Sequence, residues 1–200
     1  NGTAEALGLD GSDLLTEGGD DQVRIQAHAS GQHTYAWALR NSSLDVGAGN
    51  NSIDLRASTN AFGVDPAYGV DSSTVVSGDG EDQLRIHAQA HGTTPGTIAA
   101  FGAVNAELNL AGADDMLEIN ARAINRRGTA EAVGLDASTA ETGAGDDTVR
   151  IHAHANGDTN VAWALRDSAV ATGSGHDSVE IGGNALRSAI LAGDGLDNIR

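Results

Sequence analysis

Cysteine is absent from the 200 residues, so the chain has no disulfide framework, and thiols do not decide its redox compartment. Proline occurs twice, methionine once, and the aromatics number six. No stretch approaches the roughly 20 consecutive apolar residues of a membrane helix, which argues against insertion. Positive charge is scarce. With 11 bases against 28 acids the net charge is −17, which disfavours nucleic acid and anionic membranes as partners and favours cations. The chain starts without methionine, inside a repeat, and reaches Arg200 in a strand-like stretch. We therefore read residues 1–200 as one domain that is a mature or excerpted segment of a longer array.

What is abundant is repetition. The stretch TGAGDDTVRI (142–151) has two glycines two apart, an acid two places later, and then alternating apolar positions that read as a strand. It returns as SGDGEDQLRI (77–86), TGSGHDSVEI (172–181) and AGDGLDNIR (192–200), and in weaker form at 16–25, 46–55 and 110–119. Anchoring on the acid gives Asp21, Asn51, Asp82, Asp115, Asp147, Asp177 and Asp197, spaced by 30, 31, 33, 32, 30 and 20 residues. Such a period, carried by strands, predicts an all-β parallel solenoid of six to seven coils of about 31 residues.

Further columns follow from the anchors. Fourteen residues before them stand Leu7, Trp37, Tyr68, Phe101, Val133 and Trp163; twelve before, Leu9, Leu39, Val70, Ala103, Leu135 and Leu165; seven before, a column that includes Leu14, Leu44, Val75 and Leu108. All three read as interior, with Trp37 and Trp163 in the core instead of on a sugar-binding platform. Nine before, serine recurs in six of seven coils and marks a bend. Length variation gathers in the loop after the anchor strand, except in the last coil, which loses about ten residues near GGNALR. A slower repeat of 126 residues relates GTAEALGLD to GTAEAVGLD and YAWALRNS to VAWALRDS. Arg24, Asp54, Arg85, Glu118, Arg150, Glu180 and Arg200 form a ladder of alternating charge that would fix register. The histidines read as solvated and outward. His28, His87 and His152 lie two coils apart and cannot share one ion.

The corner carries the chemistry. Glycines four and two before the anchor allow left-handed backbone and inward-turned carbonyls. Stacked carboxylates about 5 Å apart repel by roughly 0.8 kcal/mol even in water. Carbonyls and carboxylates together make an all-oxygen site that suits Ca²⁺. The alternative is that Asp and Asn merely cap turns through backbone bonds, as in a calcium-free structural β-helix.

The pattern x-G-x-G-x-D-x-U-x in 77–85, 142–150, 172–180 and 192–200 resembles the RTX (hemolysin-type) calcium-binding repeat. That resemblance implies Ca²⁺ bound by the side chains of Asp82, Asp147, Asp177 and Asp197 and by backbone carbonyls of Gly78 and Gly80, Gly143 and Gly145, Gly173 and Gly175, and Gly193 and Gly195. Asp21 and Asp115 extend the ligand column. They depart from the motif, because Glu17 replaces the first glycine beside Asp21 while Ala111 and Ala113 replace both beside Asp115; Asn51 replaces the acid itself. RTX motifs run in tandem, whereas one motif per coil here implies a single calcium edge and a larger coil with three short strands. Every acid singled out belongs to a repeated column, so no catalytic cluster stands apart and no enzyme is expected. The position five before the anchor is too irregular for an ice-binding array. The expectation is a secreted or cell-surface bacterial protein, a rigid rod or fibre whose calcium-locked coils stack end to end into filaments. The alternative is an RTX-type module attached to a secreted enzyme or adhesin.

Overall fold

The structure, a computed structural model, describes residues 3–63 and 65–200. The described chain is all-β, with three parallel seven-stranded sheets and about six turns of solenoid. Each coil contributes one strand to each sheet. Coil 2 contributes His33–Arg40 to the first sheet, Ser43–Asp45 to the second and Ser52–Ala61 to the third. In every sheet a strand pairs with its counterpart one coil away.

Register follows the sequence columns. Leu9 pairs with Leu39, Leu14 with Leu44 and Val23 with Ile53. The core is thin because its columns are narrow. Third-sheet strands alternate inward Val, Ile, Leu and Ala, and the first sheet opposes them mostly with alanine and glycine. A Cβ on Gly102 would lie 2.3 Å from the Ile119 Cγ2, so the isoleucine column crosses where the facing strand has no side chain.

The aromatic column lies elsewhere than its apolar character suggests. Ala36 and Ala38 are fully buried, so strand alternation turns Trp37 outward. Tyr35, Trp37, Tyr68 and Phe101 stack in a half-buried external ladder with centroids 5.1–5.7 Å apart and ring planes within 10° of parallel. Trp163 is likewise half-buried, and Val133 is buried but outside the core cluster. This corrects the interior assignment of the column, including the placing of Trp37 and Trp163 in the core. Trp37 is faced by the Tyr35 and Tyr68 rings and by the Arg40 guanidinium, so it offers no open platform for a sugar. Arg40 lies 4.6 Å over the Trp37 ring while bonding Asp10 and Glu5, and Arg166 repeats the pairing with Asp136 and Glu131 126 residues on.

The charge ladder forms on the third sheet, where Arg24–Asp54 is 3.4 Å, Arg85–Glu118 3.6 Å, Arg150–Glu180 3.6 Å and Arg200–Glu180 3.1 Å. Deletion in the last coil removes the far half of the third-sheet strand and the near half of the next, leaving Ser178–Gly182 and Asn184–Leu186.

The serine column marks a bend, as expected. The preceding residue is left-handed in every coil, with φ between 46° and 55° at Gly11, Asn41, Ser72, Asn105, Ala137, Asp167 and Arg187. Serine then serves two coils. The Ser138 Oγ donates to the Asp136 carbonyl at 2.7 Å and accepts the Ala106 N–H of the preceding coil at 3.1 Å. Ala137 adopts φ 46° with a Cβ and no side-chain hydrogen bond to offset the strain. Ala137→Gly should therefore raise stability by about 1 kcal/mol, read from the urea midpoint, whereas the same substitution at the extended, fully buried Ala132 should lower it.

Candidate functional site

The glycine-acid corner joins the second sheet to the third. Gly47, Gly143, Gly173 and Gly193 take φ of 68–95° there, a conformation Glu17 shares in coil 1 at φ 70°, and a Cβ on Gly173 would sit 1.7 Å from the Gly143 carbonyl oxygen of the coil below. With the turn so fixed, the anchor side chain points into the corner. Asn51, Asp82, Asp115, Asp147 and Asp177 are all buried.

From Asn51 to Asp197, one side-chain oxygen of each anchor accepts a backbone N–H of the preceding coil. The N–H of Asp21 donates to Asn51 Oδ1 at 3.0 Å, that of Asn51 to Asp82 Oδ1 at 2.8 Å, and that of Asp82 to Asp115 Oδ1 at 2.8 Å. The chain of caps continues through Asp147 and Asp177 to Asp197. Anchors thus supply acceptors to N–H groups that the sheet ladder misses at the corner.

The second oxygen distinguishes the coils. Asn51 has an amide there, and its Nδ2 donates to the carbonyls of Gly47 (3.2 Å) and Gly49 (2.8 Å). In coils 1 and 5 a threonine five residues earlier fills the need: Thr16 Oγ1 donates to Asp21 Oδ2 at 2.8 Å and Thr142 Oγ1 to Asp147 Oδ2 at 2.6 Å. In coils 3, 4 and 6 the Oδ2 atoms of Asp82, Asp115 and Asp177 are buried without a hydrogen-bond partner. Coil 4 is the extreme case, because Leu110 stands where Thr142 stands in coil 5.

The electrostatics follow from this packing. Burial pushes the Asp115 carboxyl up to about 7, the charges of Asp147, Asp82 and Asp114 add to the rise, and the hydrogen bond accepted from the Asp82 N–H opposes it. Asp147 is also raised, by burial first, while the Thr142 hydroxyl and the Asp115 N–H pull it down.

The geometry brings the predicted site residues together as one column along one edge. It does not gather them as three or more acidic or histidine side chains around one point: among the described residues no such group could hold a metal ion. Several corner glycine carbonyls, those of the expected ligands Gly143 and Gly173 among them, already serve the stack. The Gly47 carbonyl accepts the Gly78 N–H, Gly143 that of Ser174, and Gly173 that of Asp194. The anchor Oδ2 is left without a partner only in coils 3, 4 and 6, while the Gly49 carbonyl of coil 2 is taken by the Asn51 amide. A fit to a hard, oxygen-liganded cation rests on the unpartnered Oδ2 of Asp82, Asp115 and Asp177. Gly78 differs from its counterparts, since it lies within an extended second-sheet strand, Thr74–Asp79.

A second row escaped the sequence reading. Just before the anchors, Asp20, Asn50, Glu81, Asp114, Asp146, His176 and Leu196 lie exposed along the same corner. Several of these cap in the opposite sense: the Asn50 N–H donates to Asp20 Oδ1 at 2.9 Å, that of Asp146 to Asp114 Oδ1 at 2.8 Å, and that of His176 to Asp146 Oδ1 at 2.8 Å. The signal was an acid or Asn in five of seven coils at that position, hidden by its drift to His and Leu.

Comparison of the chain with family models, with curated proteins and with solved structures finds no match.

Asp115 gives a pH prediction. Its folded-state value near 7 exceeds the unfolded value of about 4, so the fold holds a proton that the unfolded chain releases. Its contribution is therefore most favourable below about pH 4 and declines as pH rises to about 7. Asp115→Asn, the arrangement Asn51 already uses, should remove that decline and, in chelator at pH 8, stabilise the chain by about 1–2 kcal/mol. Chemical denaturation of both proteins from pH 4 to 8 checks this.

Proposed function

We propose that the chain is a structural rod of the secreted or cell-surface kind whose coils are locked along one acidic edge by Ca²⁺. The supporting observation is the buried carboxylate column, with Oδ2 unpartnered in Asp82, Asp115 and Asp177 where Asn51 places an amide donor. An acceptor in that seat, on a chain of charge −17, calls for a positive group. Calcium fits the all-oxygen donors better than a transition metal, and the RTX-like motif of the sequence agrees. Bound there, the ion would neutralise neighbouring carboxylates, and its binding energy would add to folding energy. Coils would then tighten where calcium is plentiful, outside the cell.

The rod role rests on what the fold offers. Ile199, in register with the fully buried Val179, is exposed in the last coil, and Leu9 and Leu14, in register with the fully buried Leu39 and Leu44, are only half-buried in the first. Another coil, from this chain's continuation or from a second copy, would cover them and extend the sheets into a filament. Attachment to a secreted enzyme or adhesin as an RTX-type module uses the same surfaces.

A second reading has its own support. The raised Asp115 carboxyl and the Thr142 hydroxyl on Asp147 support a calcium-free structural β-helix in which protonation and hydroxyl donors stand in for the cation.

Circular dichroism during titration of Ca²⁺ against EGTA, with Mg²⁺ as control, separates the two. A calcium-selective, cooperative gain of β signal, and a melting temperature higher in calcium, is the expected result. Equal β structure and equal melting temperature in EGTA would assign the column to turn capping.

A further inference from the structure

The third sheet has a charge character unlike the rest of the chain. Its strands carry Arg24, Arg56, Arg85, Arg122 and Arg150 and five of the seven histidines, against three acids, Asp54, Glu118 and Glu180. On a chain of net charge −17, that face carries more bases than acids. Within it lies a hollow of about 320 Å³ over coils 3 to 5, lined by two alanines and by His87, Gln89, Asn120, Arg122, His152 and His154. Register arranges these six as a grid. His87, Asn120 and His152 form one row across the coils, and Gln89, Arg122 and His154 the next. Every group in the grid can donate a hydrogen bond, and none is acidic.

The existing pairings leave the middle of the grid open. Asn120 Nδ2 donates to Glu118 at 2.7 Å, Gln89 meets the His91 ring at 2.7 Å, and His152 Nε2 is 4.0 Å from Glu180. Eight of the eleven bases, all arginines, lie within 4.0 Å of a carboxylate. The three that do not, among the described residues, are Arg122, Arg126 and Arg127, within six residues of one another in coil 4 and its loop. An unpaired guanidinium in a donor-lined hollow, with two more in the loop that follows the same strand, is suited to carboxylates.

We infer that this face binds the exposed acidic row of a second copy of the chain, so that rods associate side by side. The row presents Asp20, Glu81, Asp114 and Asp146 along the corner of every rod, all exposed. Row and grid are built on the same stacked coils, so their axial repeats are equal, about 4.8 Å per coil. Two rods with parallel axes can therefore set successive carboxylates against successive coils of the grid without strain in either. Donor and acceptor surfaces are different faces of one molecule. The contact is heterologous, and repeating it yields open lateral sheets of rods.

Charge also dictates an unusual salt dependence. At about 0.01 M salt the screening length of about 30 Å lets the net charges repel across whole rods. At about 0.1 M, screening over about 10 Å hides the far faces but spares direct pairs, and at about 1 M the pairs are screened too. Association should peak near the middle value.

The test uses two variants of the folded chain, with circular dichroism as the check on folding. Arg122→Glu with Arg126→Glu and Arg127→Glu reverses the three unpaired charges in and next to the grid and keeps the acidic row. Glu81→Lys with Asp114→Asn and Asp146→Asn ruins the row while keeping the Oδ1 caps, as Asn50 does for the Glu81 N–H. Sedimentation velocity at about 0.1 M salt should show wild type forming large assemblies, each variant alone failing to form them, and the equimolar mixture giving a 1:1 dimer of twice the mass. End-to-end filaments would persist in both variants and at about 1 M salt, so the two modes are read separately. A wild type with no salt-dependent lateral species, or a mixture that stays unassociated, overturns the inference. So does an Arg122-dependent affinity for polygalacturonate in a chain that remains laterally monomeric.

Discussion

Everything in this molecule depends on satisfying backbone N–H groups where the sheet ladders break. A parallel stack pairs its strands completely, but each coil must bend, and every bend removes some amides from the ladder. Two bends are solved with a side-chain oxygen from the adjacent coil: the anchor Asp or Asn at the glycine corner and serine at the second bend. Turn geometry and buried polarity both follow. The glycines let neighbouring turns approach closely enough for these bonds, and the short second-sheet strand holds the two bends a fixed distance apart.

That solution creates the electrostatic problem of the site. A carboxylate uses one oxygen for the cap and brings a second, with its charge, into the same dry corner. The coils answer differently, with an amide at Asn51, a hydroxyl at Asp21 and Asp147, and nothing at Asp82, Asp115 and Asp177. The proposed calcium role and the alternative of protonated carboxyls are two ways to finish the same incomplete arrangement.

The solenoid and its register were legible because each coil repeats the same demand, so Leu39, Leu44 and Ile53 recur as Leu9, Leu14 and Val23. Three strands per coil, the serine bend and the charge ladder were readable for the same reason. Trp37 was misplaced because stacking across coils makes an outward column as apolar as an inward one; only its fully buried alanine neighbours give the alternation away. At the corner the sequence could not choose between ligand and cap, since Gly and Asp serve either. The exposed row before the anchors was missed because a cap there tolerates Asp, Asn or His.

The buried caps also give the stack a direction in time. The Asp82 amide is satisfied by Asp115, and the Ser42 amide by Ser73, always by the coil that follows in the chain. A nascent or emerging chain that presents its N-terminal coils first therefore leaves each corner unfinished until the next 30 or so residues arrive. A chain threaded in the opposite sense lays each new coil onto acceptors already in place. The same folded rod thus has an easy and a hard direction of growth, set by which neighbour owns the oxygen.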